Sequence, residues 1–144
     1  KMTQHESEQT IFQILHNMDQ FTNQLIIKWN KDFNEGLGVS HVLTLGYLSK
    51  LEHARPSEIA SVLGLKPPTV TTLTEKLVKK GFVERLYDDS DRGIIHIKIT
   101  ESGREILKRA NESGQVLRRD MFMKLSEEER AELLRLYLKL NNSE

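Results

Sequence analysis

Residues 57–81 read SEIASVLGLKPPTVTTLTEKLVKKG, and the order of signals within them decides the fold. Ile59, Ala60, Val62 and Leu63 supply the apolar and small positions of a short helix over 57–63. Gly64 gives a tight bend, and Pro67 restarts a helix, because a first-turn proline loses no hydrogen bond there. This second helix is expected to run to about Lys80 and stop at Gly81. Val70, Leu73, Leu77 and Val78 form its inner face. Advancing 100° per residue places Thr69, Thr72, Lys76 and Lys79 together on the opposite, solvent-facing side.

On the C-terminal side, Phe82 to Tyr87 is followed by a polar loop, Asp88-Asp89-Ser90-Asp91-Arg92-Gly93, and then by Ile94 to Ile99. Ile95, Ile97 and Ile99 alternate with His96 and Lys98, the period of a half-buried strand, so the two segments predict a hairpin with a polar tip. Thr100 can cap a long helix carrying Ile106, Leu107, Ala110, Leu117 and Met121. Ser126-Glu127-Glu128-Glu129 is a capping-box sequence opening a last helix with Leu133, Leu134, Leu136, Tyr137 and Leu140. On the N-terminal side, Ile11, Ile14, Leu15, Met18, Leu25, Trp29 and Phe33 mark a long amphipathic helix ending near Gly36 and Gly38. Ser40 is the expected cap of the next helix, whose stripe is Val42, Leu43, Leu45, Leu48 and Leu51 before Pro56 interrupts.

Helix, bend, helix and two-stranded hairpin is the order of a winged helix-turn-helix, in which the second helix enters the DNA major groove and the hairpin reaches along the backbone. Such a helix needs an apolar back to hold it and a front of short donors and cations, which Thr69, Thr72 and Lys76 provide. Taken alone, those three would read as an ordinary solvated face. Arg92 at the hairpin tip, flanked by Asp91 and Gly93, could enter a minor groove or clamp a phosphate; a loop arginine without this context would mean nothing.

The ordered set Ser57-Glu58-Ile59-Ala60, Leu63-Gly64, Pro68-Thr69-Val70-Thr71, Leu77, Lys80-Gly81-Phe82-Val83-Glu84-Arg85, Asp91-Arg92 and Ile99-Thr100-Glu101-Ser102-Gly103 resembles the MarR family of transcriptional regulators. It covers about fifty residues, and the flanking long helices also fit. The resemblance implies a mainly α fold with a small β-hairpin: a winged helix-turn-helix over 39–100 between dimerisation helices at 1–38 and 101–144. It implies a homodimer, with N- and C-terminal helices interlocking between protomers, acting as a repressor on a pseudo-palindromic operator in double-stranded DNA. The DNA-contacting set expected from it is Pro68, Thr69, Thr71, Thr72 and Lys76 on the recognition helix, with Arg92 on the wing and Asp91 positioning that arginine. It further implies a small aromatic or amphipathic effector, for which Trp29, Phe33 and His41 offer aromatic surface and one polar handle; the bland alternative makes Trp29 and Phe33 core. Two departures from the family pattern stand out. Lys66 occupies a position where Ser or Thr is the commoner helix cap, and Asp88 and Asp89 add negative charge to the wing.

Composition bounds these readings. The 144 residues suffice for a real core without metal or crosslinks, and no cysteine is present for disulfides or thiol chemistry. The 21 basic and 21 acidic residues cancel, which argues mildly against nucleic acid, but Lys76, Lys79, Lys80 and Arg85 concentrate mid-chain while acids gather at 127–132. From Arg55 to Arg104 there are nine Lys and Arg against seven Asp and Glu. No apolar run approaches the ~20 residues of a membrane span, and without an export leader the expected location is cytoplasmic. No phosphate loop, metal helix or nucleophile elbow points to an enzyme, and His5, His16, His41, His53 and His96 lack metal-ligand spacing, so neither cofactor nor metal is expected. Phe12, Leu15, Phe21, Leu25, Leu134, Leu136, Tyr137 and Leu140 exceed what a small wing domain can cover, which also points to a second copy. The competing class is a winged helix that binds a protein partner without DNA.

Overall fold

The computed structural model describes residues 1–88 and 93–142. In chain order the elements are α1 (Gln4–Asp32), α2 (Val39–Leu48), α3 (Pro56–Leu63), α4 (Pro67–Lys79), β1 (Val83–Tyr87), β2 (Ile95–Ile99), α5 (Glu101–Phe122) and α6 (Glu127–Asn141). They divide into two compact units, one of residues 30–112 and one of residues 1–29 with 113–144. Helices α1 and α5 each run through both.

In the unit 30–112, Leu45 and Leu48 of α2, Ile59 of α3, Val70 and Leu77 of α4 and Ile97 of β2 are all under 2% exposed. These are the inner-face positions of three helices and the inward position of the hairpin. Each such side chain contributes about 1.5–3 kcal/mol by leaving water. Local signals set the helix ends. Pro56 opens α3 rather than interrupting α2, since the N–H it lacks would have had no helical partner in the first turn. Gly64 closes that helix at φ +64°, a left-handed conformation that glycine adopts without steric cost. Lys66 holds the cap position of α4 with no side-chain cap bond.

Helix α2 starts earlier than Ser40 would make it. Gly38 is the cap residue, and Ser40 lies inside the first turn, where its carbonyl accepts the Thr44 hydroxyl at 2.8 Å. The Gly38 N–H donates to His41 Nδ1 at 3.1 Å. His41 therefore fills the role that Glu or Gln plays in a capping box, reaching back from the third helical position.

Strands β1 and β2 pair antiparallel in the register Val83–Ile99, Arg85–Ile97 and Tyr87–Ile95. Ala54 adds a single-residue bridge: its N–H donates to Ile97 O at 2.9 Å and its carbonyl accepts from Ile97 N at 2.7 Å. This ties the α2–α3 connection to the hairpin. Thr100 then locks the hairpin to α5. Its hydroxyl donates to Gly81 O at 2.7 Å and accepts from Gly103 N at 3.0 Å, while its own N–H donates to Phe82 O at 3.0 Å. Thr100→Ala loses both the cap and the Gly81 tie and should cost about 1–2 kcal/mol in urea unfolding. Thr100→Ser, which keeps the hydroxyl, should recover most of that; equal losses in the two variants would assign the effect to the methyl group.

In the unit of residues 1–29 and 113–144, α1 and α5 run antiparallel. The Phe21 and Phe122 rings lie 5.6 Å apart, Lys28 Nζ stands 3.7 Å from Met121 Sδ, and buried Trp29 lies over Gly114. Helix α6 opens on Ser126, whose hydroxyl accepts from Glu129 N at 3.1 Å while Glu129 Oε1 accepts from Ser126 N at 2.8 Å. Helix α6 buries none of its residues. Leu134, Leu136, Tyr137, Leu138 and Leu140 are exposed on it, as are Ile11, Phe12, Ile14, Leu15 and Met18 on α1. Among the described residues no helix is long and apolar enough to cross a membrane.

Candidate nucleic-acid interface

Helix α4 is two-faced along its whole length. Val70, Leu73 and Leu77 are buried behind it, while Pro68, Thr69, Thr71, Thr72, Lys76 and Lys79 are exposed in front. The anchoring face fixes the rotation of the helix, and with it the direction of the front. The Thr71 hydroxyl donates to Pro67 O and the Thr72 hydroxyl to Pro68 O, both at 3.1 Å. With their hydrogens committed to the helix, these hydroxyls offer lone pairs and methyl groups outward. They suit the amino groups of cytosine or adenine and the methyl of thymine, whereas the Lys76 ammonium suits a guanine edge or a phosphate.

Beside the front of α4 lies an open groove of about 470 Å³ lined by His41, Pro68, Thr69, Thr72, Leu73 and Lys76. The first turn of α2 supplies one wall and α4 from Pro68 to Lys76 the other. Partial burial, then Lys76, then Lys80 lower the His41 pKa below the usual histidine value. The loop leading into α2 carries Gly36 at φ +71°, where an added Cβ would come within 3.3 Å of Lys80 Nζ, so the Lys80 ammonium stands over this loop. Glu35, in the same loop, pairs with Arg109.

A proton on His41 would also remove the acceptor that Gly38 N–H uses. The unfolded chain therefore takes up that proton more readily than the folded one. His41 contributes stability that is complete above the ordinary histidine value of about 6.5 and is lost as pH falls from there through the lowered value of the folded state. The urea midpoint should drop between pH 7.5 and 5.5, and His41→Gln, which keeps the cap acceptor without titrating, should reduce that drop. Identical drops in parent and variant would remove His41 from the account.

The sequence-derived site residues fall as follows. Pro68, Thr69, Thr72 and Lys76 share the groove-lining edge of α4, and Thr71 is exposed on the same helix. Asp91 and Arg92 lie outside the described residues. Trp29 and Phe33 are 8% and 5% exposed; Trp29 belongs to the unit 1–29 with 113–144, and Phe33 and His41 to the unit 30–112. His41 also lines the groove with α4, a placement that sequence reasoning missed because its spacing from Thr69 and Lys76 has no local period. The bridge at Ala54 was missed for the same reason, while Leu73, read correctly as inner face, also lines the groove. Among the described residues no three His, Asp or Glu side chains cluster as metal ligands.

Comparison with known proteins adds independent weight. The MarR family model matches residues 39–94, from the first residue of α2 to the residue before β2. An uncharacterized HTH-type transcriptional regulator of Bacillus subtilis, YpoP, is 27% identical over 133 residues, covering 90% of this chain and 94% of YpoP. Apo MarR from Escherichia coli superposes with a TM-score of 0.75 at 24% identity, covering 89% of this chain and 93% of MarR; a further structure of MarR is described as the multiple antibiotic resistance repressor. The organohalide-sensing regulator RdhR, solved with 2,4-dichlorophenol bound, gives a TM-score of 0.74 at 19% identity over 99% of this chain and 85% of RdhR.

Proposed function

We propose that this chain, which belongs to the MarR family of transcriptional regulators, represses transcription as a homodimer that places two α4 helices in successive major grooves of a two-fold-related site. The observation that carries the reading is the division of α4 into a buried back of Val70, Leu73 and Leu77 and an exposed front of Pro68, Thr69, Thr71, Thr72 and Lys76. Arg92, with Asp91 positioning it, is the proposed wing contact to the minor groove. The family's members are regulators rather than enzymes, and MarR itself is described as a repressor.

The dimer follows from the apolar side chains left in water. Phe12 and Leu140 are 68% and 70% exposed, and they sit among a dozen large hydrophobics on α1 and α6. A patch of that kind on helices at both ends of one unit fits a second copy of itself. The proposed domain division keeps 39–100 for DNA, with the helices outside it for pairing. A small aromatic effector is the proposed releasing signal, supported by the dichlorophenol bound to RdhR. It acts only through unequal affinity for the two arrangements of the dimer.

Selection from a pool of randomised duplexes tests the whole reading. It should enrich a pseudo-palindrome whose half-sites lie one helical turn apart, ~34 Å, bound by a particle of dimer mass in light scattering. A monomer that enriches no sequence would overturn it. Trp29, the sole tryptophan, reports effector binding by its emission while release from the selected duplex is followed.

A further inference from the structure

We propose that His41 is itself a DNA-contacting residue, donating its Nε2–H to a backbone phosphate seated in the groove between α2 and α4. This rests on the DNA-binding reading above and adds a residue from a different helix to the contact surface.

The geometry fixes which edge of the ring is free. Nδ1 accepts the Gly38 N–H at 3.1 Å, so it must be unprotonated, and the ring hydrogen of the neutral imidazole is on Nε2. The groove this side chain lines is shared with Thr69, Thr72 and Lys76. Those are the proposed major-groove residues of α4, so a duplex laid on that helix brings its flanking backbone over the groove. Two cations stand around the imidazole, Lys76 in the groove wall and Lys80 beside the Gly36 turn. Partial burial first, and these two cations after it, favour the neutral ring in the free protein, and the cations add to the attraction for a phosphate. A donor locked by a backbone N–H costs little ordering when it binds, which suits a register-setting contact that carries no base information.

A capping role alone and a phosphate role make different predictions for the same substitutions. Glu and Gln both serve as the capping-box acceptor for Gly38 N–H. Only Gln also carries a donor. His41→Gln and His41→Glu should both melt within a few degrees of the parent. On the duplex selected by the parent, His41→Gln should bind within about threefold, while His41→Glu should bind at least about tenfold more weakly.

The second arm locates the contact. Neutral methylphosphonate linkages are introduced one at a time along a half-site, and each is measured with the parent and with His41→Ala. A contact requires one linkage at which the parent loses several-fold in affinity and His41→Ala loses almost nothing further. Equal binding by the Glu and Gln variants, or equal methylphosphonate losses at every position in parent and Ala variant, would leave His41 as a cap and overturn the inference. A parent that selects no duplex would overturn the DNA-binding reading itself, and the inference with it.

Discussion

Gly103→Ala should lower the unfolding free energy by about 3 kcal/mol, a fall of ~10 °C in melting temperature for a chain of this size. A Cβ built on Gly103 would stand 2.1 Å from Phe82 O and 2.8 Å from Ile99 Cγ1. Both obstacles are rigid: Phe82 O accepts the Thr100 N–H, and Ile99 is 3% exposed within the hairpin core. The first turn of α5 can accept a side chain at 103 only by moving off the hairpin, which breaks the Thr100 contacts as well. Gly46 in α2 is the matched control. Nothing lies within 4 Å of a Cβ added there, so Gly46→Ala should stabilise the helix by roughly 0.5–1 kcal/mol. Thermal melts of the two variants, moving in opposite directions, test the packing of α5 on the wing. A Gly103→Ala protein that melts with the parent would show that this close approach is absent in solution.

The second large effect is on binding. Lys76→Glu replaces an exposed cation on the front of α4 with an anion and should weaken binding to the selected duplex by about 100-fold near 0.1 M salt. Its melting temperature should hardly change, because Lys76 contributes nothing to the buried face. Thr72→Ala should cost about 1–3 kcal/mol of affinity, concentrated at one or two base positions, with the remaining sequence preference intact. Fluorescence anisotropy on the parent duplex and its single-base variants separates a base contact from a phosphate contact. Unchanged affinity in both variants would remove α4 from the DNA surface.

Much of this fold was legible because its signals are local. The buried positions Val70, Leu73 and Leu77 repeat at helical spacing, Ile95, Ile97 and Ile99 alternate, and the cap at Ser126 is a four-residue pattern. Each can be read within one element. Where sequence reasoning slipped, the deciding contact came from elsewhere in the chain or from chemistry with two readings. Ser40 has a cap residue's composition, yet Gly38 takes the position because the His41 imidazole closes the turn. Pro56 looked like a break between helices and is the first residue of one. The Ala54 bridge to Ile97 spans forty-three positions and leaves no periodic trace.

The candidate site divides in the same way. Thr69, Thr72 and Lys76 were readable as one face because a helix converts spacing into direction. Their meeting with His41 across a groove depends on how α2 packs on α4, which no spacing rule contains. The burial of Trp29 and Phe33 follows from large aromatic surfaces at helical positions, the ordinary fate of such residues.

The most direct test of the central claim is the salt dependence of duplex binding by the unaltered protein, measured by anisotropy from 50 to 300 mM salt. In the proposed dimer, two recognition helices and two wings on the backbone would displace several counterions, so log affinity should fall against log salt with a slope of about −4 or steeper. Lys76→Glu should make that slope shallower. A flat slope, or no binding at 50 mM salt with micromolar protein, would contradict the account and leave a winged helix whose front face serves a protein partner.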